Sequence, residues 1–216
     1  MDTEQITPLT PIEVRVLGCL IEKEATTPDQ YPLTQNALVS ACNQKTNRDP
    51  VARYQPGEVG HALRELETRG LVHRAWSARA DRYEHRFGDG YEVLSKGVAV
   101  LCVLMLRGPQ TPGEIRARTQ RIHAFDDTDD VEYVLERLAE RESPLVRRLP
   151  RGPGQKEDRF VHLLAGEPEL PPTPAVRAAP STPAASARSA LEDRVAELEE
   201  QVAQLSARLA ELEGAG

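Results

Sequence analysis

No run of 18 apolar residues occurs anywhere in the chain, so no segment is long enough to span a bilayer as a helix. The N-terminus, MDTEQITP, lacks the basic-then-apolar pattern of an export signal. These absences predict a soluble, cytoplasmic protein with no membrane partner. Cysteine is rare: Cys19, Cys42 and Cys102 form no CxxC or Cys/His cluster, and an odd count fits reduced thiols. Cys19 (VLGCLIE) and Cys102 (AVLCVLM) sit in apolar helical runs and read as small core residues. Aromatic residues are scarce, with a single Trp at position 76.

Signatures of catalysis are missing as well. There is no GxSxG, Walker loop or dinucleotide fingerprint, and GDG at 88–90 and RGPGQ at 151–155 read as turns. The five histidines (61, 73, 85, 123 and 162) have no ligand spacing. The DDTDD string lacks the alternation and closing Glu of a calcium loop, and its carboxylates suit a helix start that Asp127 or Thr128 caps. The expectation is a protein that is not an enzyme, with no catalytic residues, no cofactor and no metal.

Net charge is −7, which argues against indiscriminate coating of nucleic acid. Residues 1–90 hold 11 Lys+Arg against 13 Asp+Glu, residues 91–166 hold 12 against 12, and residues 167–216 hold 4 against 9. Most of the acidity lies in the tail, so any basic face must be local.

Four regions follow. Residues 167–190, rich in Pro, Ala and Ser, have almost nothing to bury and read as a disordered linker. Residues 191–213 carry apolar positions in alternating steps of four and three, the heptad period of a coiled coil. Val195, Val202 and Leu209 fall at a, and Leu191, Leu198, Leu205 and Leu212 at d, a pattern that favours two parallel strands. Arg194 can face Glu199 of a second copy, and Arg208 can face Glu213. A homodimer through this coil is expected. The alternative is one amphipathic helix folded onto its own body.

Residues 1–90 and 91–166 read as degenerate copies of one unit. In the first, TPIEVRVLGCLIEKE, LTQNALVSACN and PGEVGHALRELETRG have helical spacing, with Thr10 and Thr34 as N-caps and Gly70 as a C-cap. LVHRAW and DRYEHRF follow as two strands joined at SARA. In the second, LSKGVAVLCVLMLRG, TPGEIRARTQ and DTDDVEYVLERLAERE are helices, and PLVRRL and DRFVHLL are strands. Three helices and a hairpin are the order of a winged helix-turn-helix domain. The expected fold is α+β, mainly α with small β-hairpins: two tandem winged-helix domains, a disordered linker and a coiled-coil helix.

The strings LTPIEVRVLGCLIEKEATTPDQYPLTQNALVSACNQKTNRDPV, QTPGEIRARTQRIHAF and EDRFVHLL resemble the YceH-like family of bacterial proteins. The likeness covers residues 8–165. It implies tandem winged helices and leaves function open, because fold does not fix function. Its members are described as candidate transcriptional regulators, and it implies no catalytic residue.

Two functional readings stand side by side. In the first, the protein binds double-stranded DNA through the first unit, where residues 43–88 hold nine basic residues against six acidic. Lys45, Arg48 and Arg53 lie in the loop before the third helix, Arg64 on it, and Arg74, Arg79 and Arg82 on the hairpin. Asn43, Gln44 and Asn47 add polar contacts beside Lys45. Against this, Glu58, Glu65 and Glu67 share the third helix, and such a mixture resembles a solvated, ion-paired face. In the second unit the corresponding helix is acidic, with eight carboxylates against Arg137 and Arg141 over residues 126–142, and it repels phosphate. The basic groups around it, Arg116, Arg118, Arg121 and those of the hairpin, are expected to pair with that helix, within the molecule or across a dimer; the alternative is contact with DNA by the wing alone. The second reading is a protein-interaction scaffold whose acidic surface meets an unidentified protein partner.

Overall fold

The computed structural model describes residues 8–75, 80–151 and 157–168, all within the unit Met1–Glu169. The linker and the coil positions Leu191, Val195, Leu198, Val202, Leu205, Leu209 and Leu212 lie outside the described residues, as does Arg79. The fold is α+β. Among the described residues there are seven α-helices: α1 Pro11–Thr26, α2 Gln35–Cys42, α3 Pro56–Thr68, α4 Phe87–Gly90, α5 Ser95–Arg107, α6 Pro112–Thr119 and α7 Thr128–Ala139. Strands β1 Leu33–Thr34, β2 Val72–Ala75 and β3 Arg82–His85 form one antiparallel sheet in the order β1-β3-β2, and β4 Val146–Leu149 pairs with β5 Arg159–His162 in a second. None of these helices is long and apolar enough to cross a membrane.

Local chemistry sets the helix starts. Thr10 Oγ1 accepts from the Glu13 amide at 3.4 Å and Glu13 Oε2 accepts from the Thr10 amide at 2.7 Å, a reciprocal cap with Pro11 at the first helical position. Thr111 and Glu114 repeat that cap on α6 at 3.2 and 3.0 Å. Asp127, rather than Thr128, caps α7 by accepting from the Asp130 amide at 2.8 Å. Gly70 (φ 70°) and Gly108 (φ 67°) follow α3 and α5 in the backbone region glycine tolerates best. The GDG string expected as a turn falls within α4, a single helical turn anchored by fully buried Phe87 against Tyr91, ring centroids 4.9 Å apart.

The two halves share one hydrophobic core running from Leu9 to Leu164, and the Leu9 amide donates to the Leu164 carbonyl at 2.8 Å. At its centre α1 packs on α5. Every residue from Glu13 to Ile21 is buried, because α2 and α3 cover one side of α1 and α5 the other. Gly18 permits that approach: a Cβ there would stand 2.9 Å from Leu106 Cδ2 and 3.3 Å from Met105 Cβ. The Cys102 thiol donates to the Gly18 carbonyl across the same seam at 3.4 Å, and all three cysteines are buried and unpaired by disulfide.

The halves also repeat each other's hydrogen bonds. Leu33 pairs with Tyr83 in the first sheet, and Gln110 forms an isolated bridge with Phe160 at the corresponding place in the second half. Arg82 Nη1 donates to the Pro32 carbonyl at 2.7 Å, and Arg159 Nη1 to the Pro109 carbonyl at 2.8 Å. The Arg86 amide donates to Leu71, and the Leu163 amide to Leu145, both at 2.8 Å.

Candidate nucleic-acid interface

The polar stretch between α2 and α3 is built from internal hydrogen bonds. Asn43 clamps its far end: its Nδ2 donates to the Tyr54 carbonyl at 2.8 Å and its Oδ1 accepts from the Tyr54 amide at 2.7 Å. Arg48 holds the middle. Its Nε donates to the Ala41 carbonyl at 3.1 Å, its Nη1 to the Asn47 carbonyl at 2.8 Å, and its Nη2 to Gln44 Oε1 at 3.1 Å. Glu22 on α1 accepts from Nη1 at 3.1 Å and from Nη2 at 2.6 Å, a bidentate pair. Burial pushes the Glu22 carboxyl up, but the hydrogen bond and charge of Arg48 outweigh it and hold the group below the usual carboxylate range. Arg15 completes the network from α1, donating to the Cys42 carbonyl at 3.3 Å and the Pro50 carbonyl at 2.7 Å.

Arg48 is therefore not a phosphate contact. Its side chain has no exposed surface, and its donors are spent inside the protein. Asn43, Gln44 and Asn47, expected as polar contacts, are likewise engaged internally: Asn47 Oδ1 accepts from Arg107. The separation of 26 residues between Glu22 and Arg48 left no local signal of this pairing.

The remaining candidates divide cleanly. Lys45, Arg53 and Arg64 are exposed and have no ion-pair or hydrogen-bond partner among the described residues. Arg74 is exposed but shared by Glu67 at 3.5 Å and Asp81 at 3.4 Å. Arg82 is half-buried and donates to the Pro32 and Gln30 carbonyls, so its role is to tie β3 to the segment before β1. Surface ion pairs of the Arg74 kind are weak and can exchange for phosphate, whereas buried donors cannot.

On α3 the core takes Val59, Gly60, Ala62, Leu63 and Leu66. A helix of 3.6 residues per turn then sets Gly57, His61, Arg64 and Thr68 along one outward stripe, with Glu58 and Glu65 to one side of it. All six are exposed. Glu58 is used locally, its Oε2 accepting from the Gln55 amide at 2.7 Å. A Cβ on Gly57 would meet nothing within 4 Å, so the first turn of α3 offers bare backbone to its surroundings. Arg53 precedes that turn by three residues.

The second half presents the opposite sign. Asp126, Asp127, Asp129, Glu132, Glu136 and Glu140 are all exposed on or beside α7, around Tyr133, which is 63 % exposed. Within one copy of the chain, the basic groups expected to pair with α7 are mostly engaged elsewhere among the described residues. Arg118 and Arg159 pair with Glu114, Arg148 and Arg151 with Asp158, and Arg147 with Glu167. Among the described residues, only Lys96 reaches one of the α7 carboxylates from outside that helix, Asp130, at 2.7 Å. Among the described residues no group of three or more His, Cys, Asp or Glu is placed to hold a metal ion.

Comparison with other proteins covers both halves. The chain is 54 % identical over 192 residues to a UPF0502 protein of Xanthomonas campestris, covering 88 % of this chain and 86 % of the relative. A UPF0502 protein of Pseudomonas paraeruginosa is 53 % identical over 211 residues, 96 % of this chain and 94 % of that protein. The family model described as "Protein of unknown function, DUF480" matches residues 9–155, a span that runs through both halves. The chain thus belongs to this DUF480/UPF0502 family of bacterial proteins, the one the YceH-like resemblance pointed to.

Proposed function

We propose that this protein is a cytoplasmic, non-enzymatic, dimeric DNA-binding protein of tandem winged-helix build that engages duplex DNA through its first half. The observation that carries the reading is the set of three exposed cations, Lys45, Arg53 and Arg64, that lack partners among the described residues on α3 and the loop leading into it. Helix-turn-helix proteins place this helix N-terminus first in the major groove. The bare backbone at Gly57 and the stripe of His61, Arg64 and Thr68 suit that approach. The order of three helices and a hairpin, with β1 added beside β3, supports the winged-helix reading. The heptad pattern of residues 191–213 supports pairing of two copies.

The acidity of α7 favours a division of labour, in which the second half faces away from phosphate. Duplex binding that weakens steeply with salt tests the reading, because each phosphate neutralised contributes about one unit of slope in log K against log salt. Replacing Lys45, Arg53 and Arg64 together by Ala is expected to lower that slope by about three. A second reading, a protein-interaction scaffold, is favoured by exposed Tyr133 within the acidic α7 face. It gains if the intact chain binds no duplex even at low salt.

A further inference from the structure

Where the end of α1 meets α5 and α6, the described residues enclose a cleft of about 240 Å³. Three arginines line it: Arg107 at the end of α5, Arg118 on the last turn of α6, and Arg121 just beyond. Glu22 also lines the cleft, but its carboxylate is taken by Arg48 at 2.6 Å and by Lys23 at 3.4 Å. Arg121 is exposed and has no partner among the described residues. Among the described residues Arg118 reaches only Glu114, at 3.7 Å. Arg107 has no carboxylate partner among the described residues; it is held by Asn47, whose backbone adopts φ 61° in the left-handed region. Burial, and then repulsion from Arg118, draw the Arg107 pKa down against an opposing pull from Glu22.

We propose that this cleft is a phosphate-binding site, in which Arg107, Arg118 and Arg121 surround one phosphate or diphosphate group. Guanidinium forks match phosphate oxygens bidentately, and a partly enclosed site strengthens each such bond. Helix C-termini attract cations, so the dipoles of α5 and α6 account for an arginine at each end. They do not account for three arginines lining one cavity whose lining carboxylate, Glu22, is paired with Arg48 and Lys23. The phosphate comes either from a phosphorylated small molecule or from a nucleic-acid backbone. The site stands whether or not α3 enters a DNA groove.

The test is titration of the full chain with inorganic pyrophosphate by calorimetry, alongside binding to duplex DNA. Both are repeated for Arg121→Gln, for Arg107→Gln/Arg121→Gln, and for Arg137→Gln, which removes the same charge from exposed α7. The thermal midpoint of each variant is recorded in parallel. Saturable pyrophosphate binding is expected, weakened about tenfold or more by Arg121→Gln and further by the double variant, and left unchanged by Arg137→Gln. Loss of pyrophosphate binding with unchanged DNA affinity assigns the site to a small phosphorylated molecule. Loss of DNA affinity in the double variant but not in Arg137→Gln assigns it to a backbone phosphate. A chain that binds pyrophosphate and no DNA keeps this site and ends the DNA reading. The proposal is overturned if pyrophosphate fails to bind at millimolar concentration and the double variant leaves DNA affinity intact. It is equally overturned if all variants bind both ligands as the parent does.

Discussion

Arg48 offers the sharpest separation between structural and contact roles. Its guanidinium has no exposed surface, makes a bidentate pair with Glu22 and donates to three further oxygens within 3.1 Å. Removing Arg48 leaves Glu22 with the longer 3.4 Å contact to Lys23, and breaking a buried pair in this way costs about 3–5 kcal/mol. The Arg48→Ala variant is therefore expected to melt roughly 6–20 °C below the parent, at 2–4 °C per kcal/mol for a chain of this size. Circular dichroism or scanning calorimetry reads that shift directly. Removing both charges tests the cause. In Glu22→Leu/Arg48→Met no charge is stranded, and most of the lost stability is expected to return, since apolar replacements of buried pairs are often neutral. Arg48→Ala at the parental melting temperature would refute the reasoning. So would a double variant that is no more stable than the single one, because desolvated charge would then not be the origin of the loss.

Three other consequences are open to measurement. Gly18→Val forces a branched side chain into the α1–α5 seam, where even a Cβ meets Leu106 Cδ2 at 2.9 Å, and is expected to cost about 1–3 kcal/mol in a denaturant titration. Asp127→Ala removes the α7 cap and is expected to cost about 0.5–2 kcal/mol, with Asp127→Asn retaining most of it. Burial draws the His162 pKa down from 6.5 to about 4, so between those values the unfolded chain binds a proton the folded chain refuses. Stability is then independent of this group above about pH 6.5 and falls as the pH drops toward 4, by on the order of 3 kcal/mol. His162→Phe should flatten that window, whereas the loss tied to Glu22 sets in as the pH falls through the ordinary carboxylate range and is complete only below the lowered folded value.

Much of the fold was legible because its signals are local. Caps such as Thr10 with Glu13 and Thr111 with Glu114 satisfy backbone amides three residues away, so the helix starts can be read from a few letters. Gly108 closing α5 is equally local. What covers a helix is not. The apolar pattern of α1 suggests one buried face, yet α5 arrives from some eighty residues away, as in the bond from Cys102 to Gly18, and on other sides Arg15 is buried on the Cys42 and Pro50 carbonyls and Glu13 beside Arg69. The loop NQKTNRDPV shows the same limit in reverse. Its polarity read as a contact surface, but its side chains mostly bond to one another and to α1 and α5. Only Lys45 remains outward among its charged residues that were candidates for DNA. Strand β1, two residues long, carries no periodicity to detect; its register depends on β3, fifty residues on.

The most direct test of the proposed function is fluorescence anisotropy of a labelled random-sequence duplex with the full chain, across a salt series, for the parent and for Lys45→Ala/Arg53→Ala/Arg64→Ala. The expected result is binding by the parent that weakens steeply with salt, and a variant with an unchanged melting temperature whose slope is lower by about three. A parent that binds no duplex at low salt, or a variant whose binding matches the parent's at every salt concentration, would contradict it.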